Sequence, residues 1–160
     1  SSDIFPLIKR AFETIGMAKV STSAHEARKL GLLSATDEIT MNRDRLIAAA
    51  KQAALELVKD GCRPRAPRKD IPVCGEAALS KMKLGLHLMR RADYISDHDV
   101  LVGTKLAGVL SGGGEFTSAQ NVSEQYLLDL EREAFVSLCG EKKTVERIQH
   151  TLKTGKPLRN

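Results

Sequence analysis

The stretch "MKLGLHLMRRADYISDHDVLVGTKLAGVLSGG", residues 82–113, contains two helical patterns with one break between them. The first pattern begins at about Glu76 and ends at Arg91, and its apolar residues recur every three or four positions, as on one face of an amphipathic helix. Ser96 opens the second pattern, which runs to Ser111 and stops at three consecutive glycines. The stretch therefore predicts two helices joined by a short link.

Similar helical patterns lie on both sides of this stretch. They cover residues 6–15, 23–31, 42–60 and 123–140, and a final segment with Val145, Ile148 and Leu152 that ends at Gly155. Ser23 and Glu26 have the spacing of a capping box, which favours a helix start. Residues 32–40, "LLSATDEIT", are typical of one or two short strand-like pieces. The predicted fold class is mainly α, with six or seven helices and at most short strand pieces.

Length and composition are those of an ordinary soluble domain. The chain has 160 residues, 42% hydrophobic and 28% charged, and no apolar run approaches the roughly 20 residues that span a bilayer. Cys62, Cys74 and Cys139 are widely spaced and form no C-x-x-C pair, so we expect a reduced cytoplasmic protein without structural zinc. The first residue is Ser, from which we expect a piece of a longer chain.

The net charge of +5 and the pI near 9.2 permit an anionic partner. Aromatic residues make up only 4%, and most Lys and Arg alternate with Glu and Asp along helices, so we expect no nucleic-acid partner. The densest positive cluster is "RPRAPRK", residues 63–69, on a connector that its prolines hold extended. Its weak candidates for cofactor binding are Arg63, Arg65, Arg68 and Lys69. A solvated surface loop is the alternative interpretation of this cluster.

Within "ISDHDV", residues 95–100, the residue types Asp97, His98 and Asp99 are those that bind metals and move protons. Neighbouring helical positions point about 100° apart, however, so the three side chains cannot converge on one ion. Ser96 and Asp99 have the spacing of a capping box, and both carboxylates would face the positive end of the helix dipole. We therefore expect Ser96 and Asp99 to be structural, His98 to contribute much less to stability, and no metal site.

Two further patterns give no catalytic site. "SGGGE", residues 111–115, follows a helix and has no Gly-Lys-Ser/Thr, so it predicts a helix stop and not a phosphate loop. The "HD" dipeptide occurs in metal-dependent phosphohydrolases, but His25, His87 and His150 do not complete that pattern. No nucleophile, base and orienting group can be combined from the spacing, so no catalytic residue is assigned.

One segment resembles a family. "AFETIGMAKVSTSAHEARKLGLL", residues 11–33, resembles a late segment of the crotonase (enoyl-CoA hydratase/isomerase) superfamily. The matching positions are Ala11, Glu13, Ser23, Ala24, Glu26, Ala27, Gly31 and Leu32, while Leu33 stands where Val is usual. The resemblance extends to residues 39–61, 82–113 and 122–135 and to the ending "TGKPLRN", which look like the C-terminal end of bacterial fused proteins. In those proteins a 3-hydroxyacyl-CoA dehydrogenase precedes a crotonase-like hydratase.

The resemblance implies three regions: residues 1–61 as the end of the crotonase module, 62–75 as an extended connector and 76–160 as a C-terminal helical extension. It implies NAD and a coenzyme A thioester as cofactors of the parent enzyme. The catalytic glutamates and oxyanion hole of the family lie before the segment that matches Ala11, as do the dinucleotide-binding glycines. We therefore expect no catalytic residue and no cofactor in this part of the chain.

The function implied is that of a C-terminal part of a fatty-acid β-oxidation enzyme that packs on the hydratase module. Its partners would be the remainder of the same polypeptide, the acyl-CoA substrate of the parent and, in a homo-oligomer, a second copy. The alternative is a stand-alone helical module that binds an anionic or protein partner. An exposed apolar patch would favour the enzyme part, and a single concentrated basic face would favour the binding module. In the parent enzyme, the loop that carries Arg63, Arg65, Arg68 and Lys69 would meet the phosphates of coenzyme A or an acidic surface of the enzyme.

Overall fold

The computed structural model describes residues 3–160. In this range the helices are α1 (Phe5–Gly16), α2 (Ala24–Leu30), α3 (Leu46–Lys59), α4 (Gly75–Arg91), α5 (Asp97–Ser111), α6 (Glu124–Cys139) and α7 (Lys142–Thr154). The two strands are β1 (Ile71–Val73) and β2 (Gln120–Val122), and a 3₁₀ turn, Arg43–Arg45, precedes α3. The mainly α fold with short strand pieces is therefore confirmed.

The chain divides into two compact units. The first unit comprises residues 3–18 and 67–160 and contains α1, α4 to α7 and both strands. The second unit comprises residues 19–66 and contains α2, the 3₁₀ turn and α3. Residues 62–70 form no helix or strand. The three regions that the resemblance implies stay a prediction.

Helices α4 and α5 form the centre of the first unit. Ala78 and Met82 of α4 are buried with Ala107 of α5, and Ala107 has no exposed surface. Partly buried apolar side chains surround this cluster, namely Phe5, Ile8, Phe12, Cys74 and Leu79. Burial of a side chain such as Met82 contributes roughly 1.5–3 kcal/mol. Residues 82–113 therefore supply two of the three buried residues of this cluster, Met82 and Ala107.

The two strands pair antiparallel, with Ile71 opposite Val122 and Val73 opposite Gln120. Val73 is only 2% exposed, so the sheet covers part of the core in spite of its short length. The sequence pattern predicts strand-like pieces in residues 32–40 instead, and that prediction is wrong. There the backbone turns, because the amide of Ser34 donates to a carboxylate oxygen of Asp37 at 2.6 Å. No neighbouring strand is available to this segment within its unit.

Two glycines allow neighbouring segments to approach the start of α4 and the end of α5 closely. Gly75, at φ +67°, begins α4, and a Cβ at this position would collide with the carbonyl oxygen of Phe116. Gly112, at φ +88°, ends α5, and a Cβ there would lie 2.7 Å from a methyl carbon of Val73. A left-handed conformation of this kind favours glycine. The prediction that residues 111–115 form a helix stop is confirmed.

In the second unit, local caps define the helices. The hydroxyl of Ser23 accepts from the amide of Glu26 at 3.1 Å, and Gly31 ends α2 in the left-handed conformation, as the sequence predicts. Helix α3 has no buried residue, and Ile47 and Val58 are 84% and 76% exposed. Across residues 3–160, no helix combines the length and the apolar character required to cross a membrane.

Candidate functional site at the start of helix α5

The start of α5 carries a complete capping box. The hydroxyl of Ser96 accepts a hydrogen bond from the amide of Asp99 at 3.2 Å, and the amide of Ser96 donates to a carboxylate oxygen of Asp99 at 2.9 Å. Two backbone N–H groups that a helix start leaves unpaired are thereby satisfied. The structural role predicted for this pair is confirmed.

Asp97 has its partner on α4, whereas His98 and Asp99 have theirs on α7. A carboxylate oxygen of Asp97 lies 2.5 Å from Nε of Arg90 on α4. The Nε2 atom of His98 lies 2.9 Å from the Thr144 hydroxyl on α7. The start of α5 therefore joins α4 to α7 and does not gather ligands around one point.

A metal centre is not supported by this geometry. Among residues 3–160, no three His, Cys, Asp or Glu side chains lie close enough together to hold an ion. Asp97 and Asp99 each face an arginine, whose positive charge already neutralises the carboxylate. The three cysteines are free thiols, and Cys62 and Cys139 are exposed.

Arg147 on α7 connects α5 to the last residues of the chain. Its guanidinium donates to a carboxylate oxygen of Asp99 at 2.7 Å and to the side-chain oxygen of Asn160 at 2.8 Å. The side-chain amide of Asn160 in turn donates to the Glu146 carboxylate at 2.9 Å. The planar guanidinium of Arg147 thus donates to two acceptors in a fixed geometry. These hydrogen bonds connect α5, α7 and the segment at Asn160 in one network.

The electrostatics of the network favour the ionised carboxylate. Burial alone raises the pKa of the Asp99 carboxyl, but the hydrogen bonds from Ser96 and Arg147 outweigh burial and lower that pKa below its ordinary value. The side chains of Arg147 and Asp99 are 22% and 32% exposed, so water screens the pair only in part. The interaction therefore stabilises the folded chain more than a surface ion pair would.

His98 is buried, with only 6% of its surface exposed. Desolvation lowers the pKa of its imidazole, and the positive charges of Arg147 and Lys143 lower it further. From the pattern of α5 alone, this side chain is expected to contribute little to stability. In the structure, however, Thr144 of α7 packs against His98 and pairs with its ring nitrogen. Truncation of His98 would therefore lower stability, because it would remove buried contacts and leave the Thr144 hydroxyl without its partner.

Catalysis would require more than the His98–Thr144 pair. A hydroxyl activated by a histidine needs a group that orients the imidazole and an open space for a substrate. The carboxylates on both sides of His98 are engaged elsewhere, Asp97 by Arg90 and Asp99 by Ser96 and Arg147. The cluster can hold helices in position and lower the pKa of the buried His98 imidazole.

The positive cluster at residues 63–69 is exposed along its whole length. Arg68 pairs with Asp70 at 3.1 Å, and its backbone carbonyl accepts from the amide of Glu124 at 2.8 Å. The candidates are split between the two units: Arg63 and Arg65 belong to the second, Arg68 and Lys69 to the first. Contact of these four residues with coenzyme A stays a prediction.

Similarity to known proteins is limited to sequence. No protein-family model and no solved structure matches the chain. A "Probable 3-hydroxyacyl-CoA dehydrogenase" of Bacillus subtilis (strain 168) is 48% identical over 151 residues, which are 94% of this chain and 19% of that protein. The chain thus spans about a fifth of the length of the curated relative that it matches. The similarity therefore covers nearly the whole of the present chain and a small part of that protein.

Proposed function

We propose that the chain is the C-terminal helical part of a longer fatty-acid β-oxidation enzyme that oxidises 3-hydroxyacyl-CoA thioesters with NAD. The observation that carries this proposal is the 48% identity over 151 residues to a probable 3-hydroxyacyl-CoA dehydrogenase. Nearly half of the positions are shared across almost the whole chain. This extent of similarity supports a common role for the region in the two proteins.

In this proposal no residue of the chain contacts the reacting atoms, and the chain supports catalysis through its packing on the rest of the enzyme. Hydride transfer is the chemistry of the nicotinamide, and the protein supplies binding and orientation. The sequence carries no dinucleotide-binding glycine motif, so the nucleotide would bind elsewhere on the parent polypeptide. The part played by residues 1–160 would be to pack on the remainder of the enzyme and hold it in its active form.

Exposed apolar residues on α3 support packing of this kind. Ile47, Leu57 and Val58 are 84%, 55% and 76% exposed, and they lie at helical spacing on one side of α3. Soluble proteins rarely leave contiguous apolar surface of this kind uncovered. Burial of each such side chain would contribute roughly 1.5–3 kcal/mol. An apolar helix face favours a place in a larger enzyme over a free-standing binding module, for which a concentrated basic face is expected.

The proposed parent enzyme also contains an enoyl-CoA hydratase module. The matched relative is named as a dehydrogenase alone, and the hydratase rests on the resemblance of residues 11–33 to the crotonase superfamily. We include a crotonase-like hydratase module in the parent, with the present chain packed against it. Hydration of an enoyl-CoA by the parent, measured separately from NAD reduction, tests this part by itself.

The experiment is a substitution in the parent enzyme. Ile47→Asp places a charge on the exposed apolar face of α3, so it should leave the thermal unfolding of the 160-residue chain unchanged. In the parent it should lower the midpoint of inactivation and the rate of 3-hydroxyacyl-CoA oxidation, because a charge would be buried in the contact. Gln52→Asp adds the same charge on another side of α3 and is the control. Equal activity and stability of the two parent variants would refute packing through this face.

Coenzyme A contact is tested by the positive cluster. Replacement of Arg63, Arg65 and Arg68 together by Ser in the parent should weaken coenzyme A binding and flatten its dependence on salt, because arginine contacts with phosphate are charge-assisted. Replacement of exposed Lys51, Lys59 and Arg43 by Ser removes equal charge elsewhere. If both triple variants bind coenzyme A alike at every ionic strength, the cluster is a solvated loop.

A further inference from the structure

Helix α6 carries an exposed stripe that the proposed function does not use. The α6 stripe consists of Leu128, Glu131, Arg132 and Phe135, which lie together on one exposed face of the helix. Leu128 is 46% exposed and Phe135 is 58% exposed. The half-buried side of the same helix, which includes Leu127, Leu130, Ala134 and Leu138, already packs within the unit. The stripe is therefore a second, outward apolar surface.

The order of residues in the α6 stripe is self-complementary. Along the helix the types run apolar, acidic, basic, apolar, and they are symmetric about the midpoint between Glu131 and Arg132. With a rise of 1.5 Å per residue, Leu128 and Phe135 lie about 5 Å on either side of this midpoint. A second copy that crosses α6 antiparallel would place its Phe135 against Leu128 and its Arg132 against Glu131. Two-fold symmetry repeats both contacts.

Charge also selects the direction of pairing. A parallel arrangement would place Glu131 against Glu131 of the other copy, where like charges repel. In the monomer Arg132 pairs with Asp129 at 3.0 Å, and the two side chains are 67% and 52% exposed. An ion pair that is so open to water contributes little, so Arg132 can exchange this partner for Glu131 of a second copy.

We propose that the α6 stripe is an isologous interface through which two copies of the chain associate antiparallel. This inference does not depend on the proposed enzymatic role. One helix face per copy is smaller than the roughly 800 Å² per partner of a standard interface, so the association is weak and depends on concentration. Leu128 and Phe135 supply the apolar contact, and the two Glu131–Arg132 pairs fix register and direction.

Sedimentation of the 160-residue chain over about a hundredfold range of concentration tests the proposal. The unmodified chain should shift from monomer to dimer. Glu131→Arg alone and Arg132→Glu alone should each weaken dimerisation by about tenfold or more, because each creates a cluster of like charge across the two-fold axis. An equimolar mixture of these two variants should again form dimers, because acidic and basic stripes then face each other. Glu133→Arg makes the same charge change off the stripe and is the control.

Three results would overturn the proposal. The first is an unmodified chain that stays monomeric at every concentration. The second is dimerisation that the stripe variants weaken no more than Glu133→Arg does, or a mixture that fails to recover it. The third concerns another occupant: in the parent enzyme, a Phe135→Cys side chain that a thiol reagent fails to modify at any protein concentration would show that the same polypeptide covers the stripe.

Discussion

Substitution of Asp99 by Ala should destabilise the chain more than any other single change at the start of α5. It removes the carboxylate that accepts from the amide of Ser96 at 2.9 Å and from Arg147 at 2.7 Å. Loss of the capping contact costs about 1 kcal/mol, and loss of a negative charge in the first helical turn about 0.3–1 kcal/mol. The half-buried ion pair adds about 1–2 kcal/mol, less than the roughly 3–5 kcal/mol of a fully buried one. We expect a total of about 2–4 kcal/mol in the free energy of unfolding by urea.

Asp97→Ala is the matched control for this prediction. Asp97 is also in the first turn and also pairs with an arginine, Arg90, but its side chain is 82% exposed. Its removal should change the free energy of unfolding far less, because water screens the pair. Arg147→Met and the double variant complete a cycle with Asp99→Ala, in which we expect a coupling of about 1 kcal/mol or more. If Asp99→Ala costs no more than Asp97→Ala, the network through Arg147 does not hold α5 to α7.

Three more outcomes follow from the same structure. Ser96→Ala should lower the free energy of unfolding by about 0.5–2 kcal/mol, the usual loss of an N-cap, and urea titration measures it. Gly75→Ala should lower the midpoint of thermal unfolding, because the added Cβ would collide with the Phe116 carbonyl and the positive φ disfavours Ala. Gly85→Ala should raise that midpoint, because nothing lies within 4 Å of the added Cβ and Ala has the higher helix propensity. The pKa of His98 is lowered from 6.5 in the folded chain. Below about pH 6.5 the unfolded chain therefore binds more protons than the folded chain, and the free energy of unfolding decreases as the pH is lowered. His98→Gln should remove that slope; an unchanged slope would assign it to other groups.

Local sequence patterns predict the helices and their ends well. Ser23, Ser96 and Ser123 cap α2, α5 and α6 through their side-chain oxygens, as the spacing indicates. Asn42 caps the 3₁₀ turn, and α3 begins only at Leu46 without a side-chain cap. A cap depends on a residue and on its neighbour two or three positions later, so the sequence contains all the required information. The core stripe of α4 is similarly local, and Met82 and Leu86 are buried as its period indicates.

Contacts between distant segments are not predicted by the sequence. The strands β1 and β2 have three residues each and include Pro72 and Asn121, which are poor strand formers. Their pairing depends on glycines that allow close approach and on burial of Val73, which no local period shows. The network at Asp99 joins residues 48 positions apart, and the burial of His98 requires α7. The sequence thus indicates the cap and leaves its partners undetermined.

The most direct test is an assay of the native polypeptide that carries this sequence, with NAD reduction measured on a 3-hydroxyacyl-CoA thioester and enoyl-CoA hydration measured in parallel. We expect a polypeptide several times larger than 17.5 kDa that reduces NAD with this substrate, and a 160-residue chain that by itself does neither reaction. Turnover by the purified 160-residue chain, or a large native polypeptide that is inert toward the thioester, would contradict the proposed place of this chain in a β-oxidation enzyme.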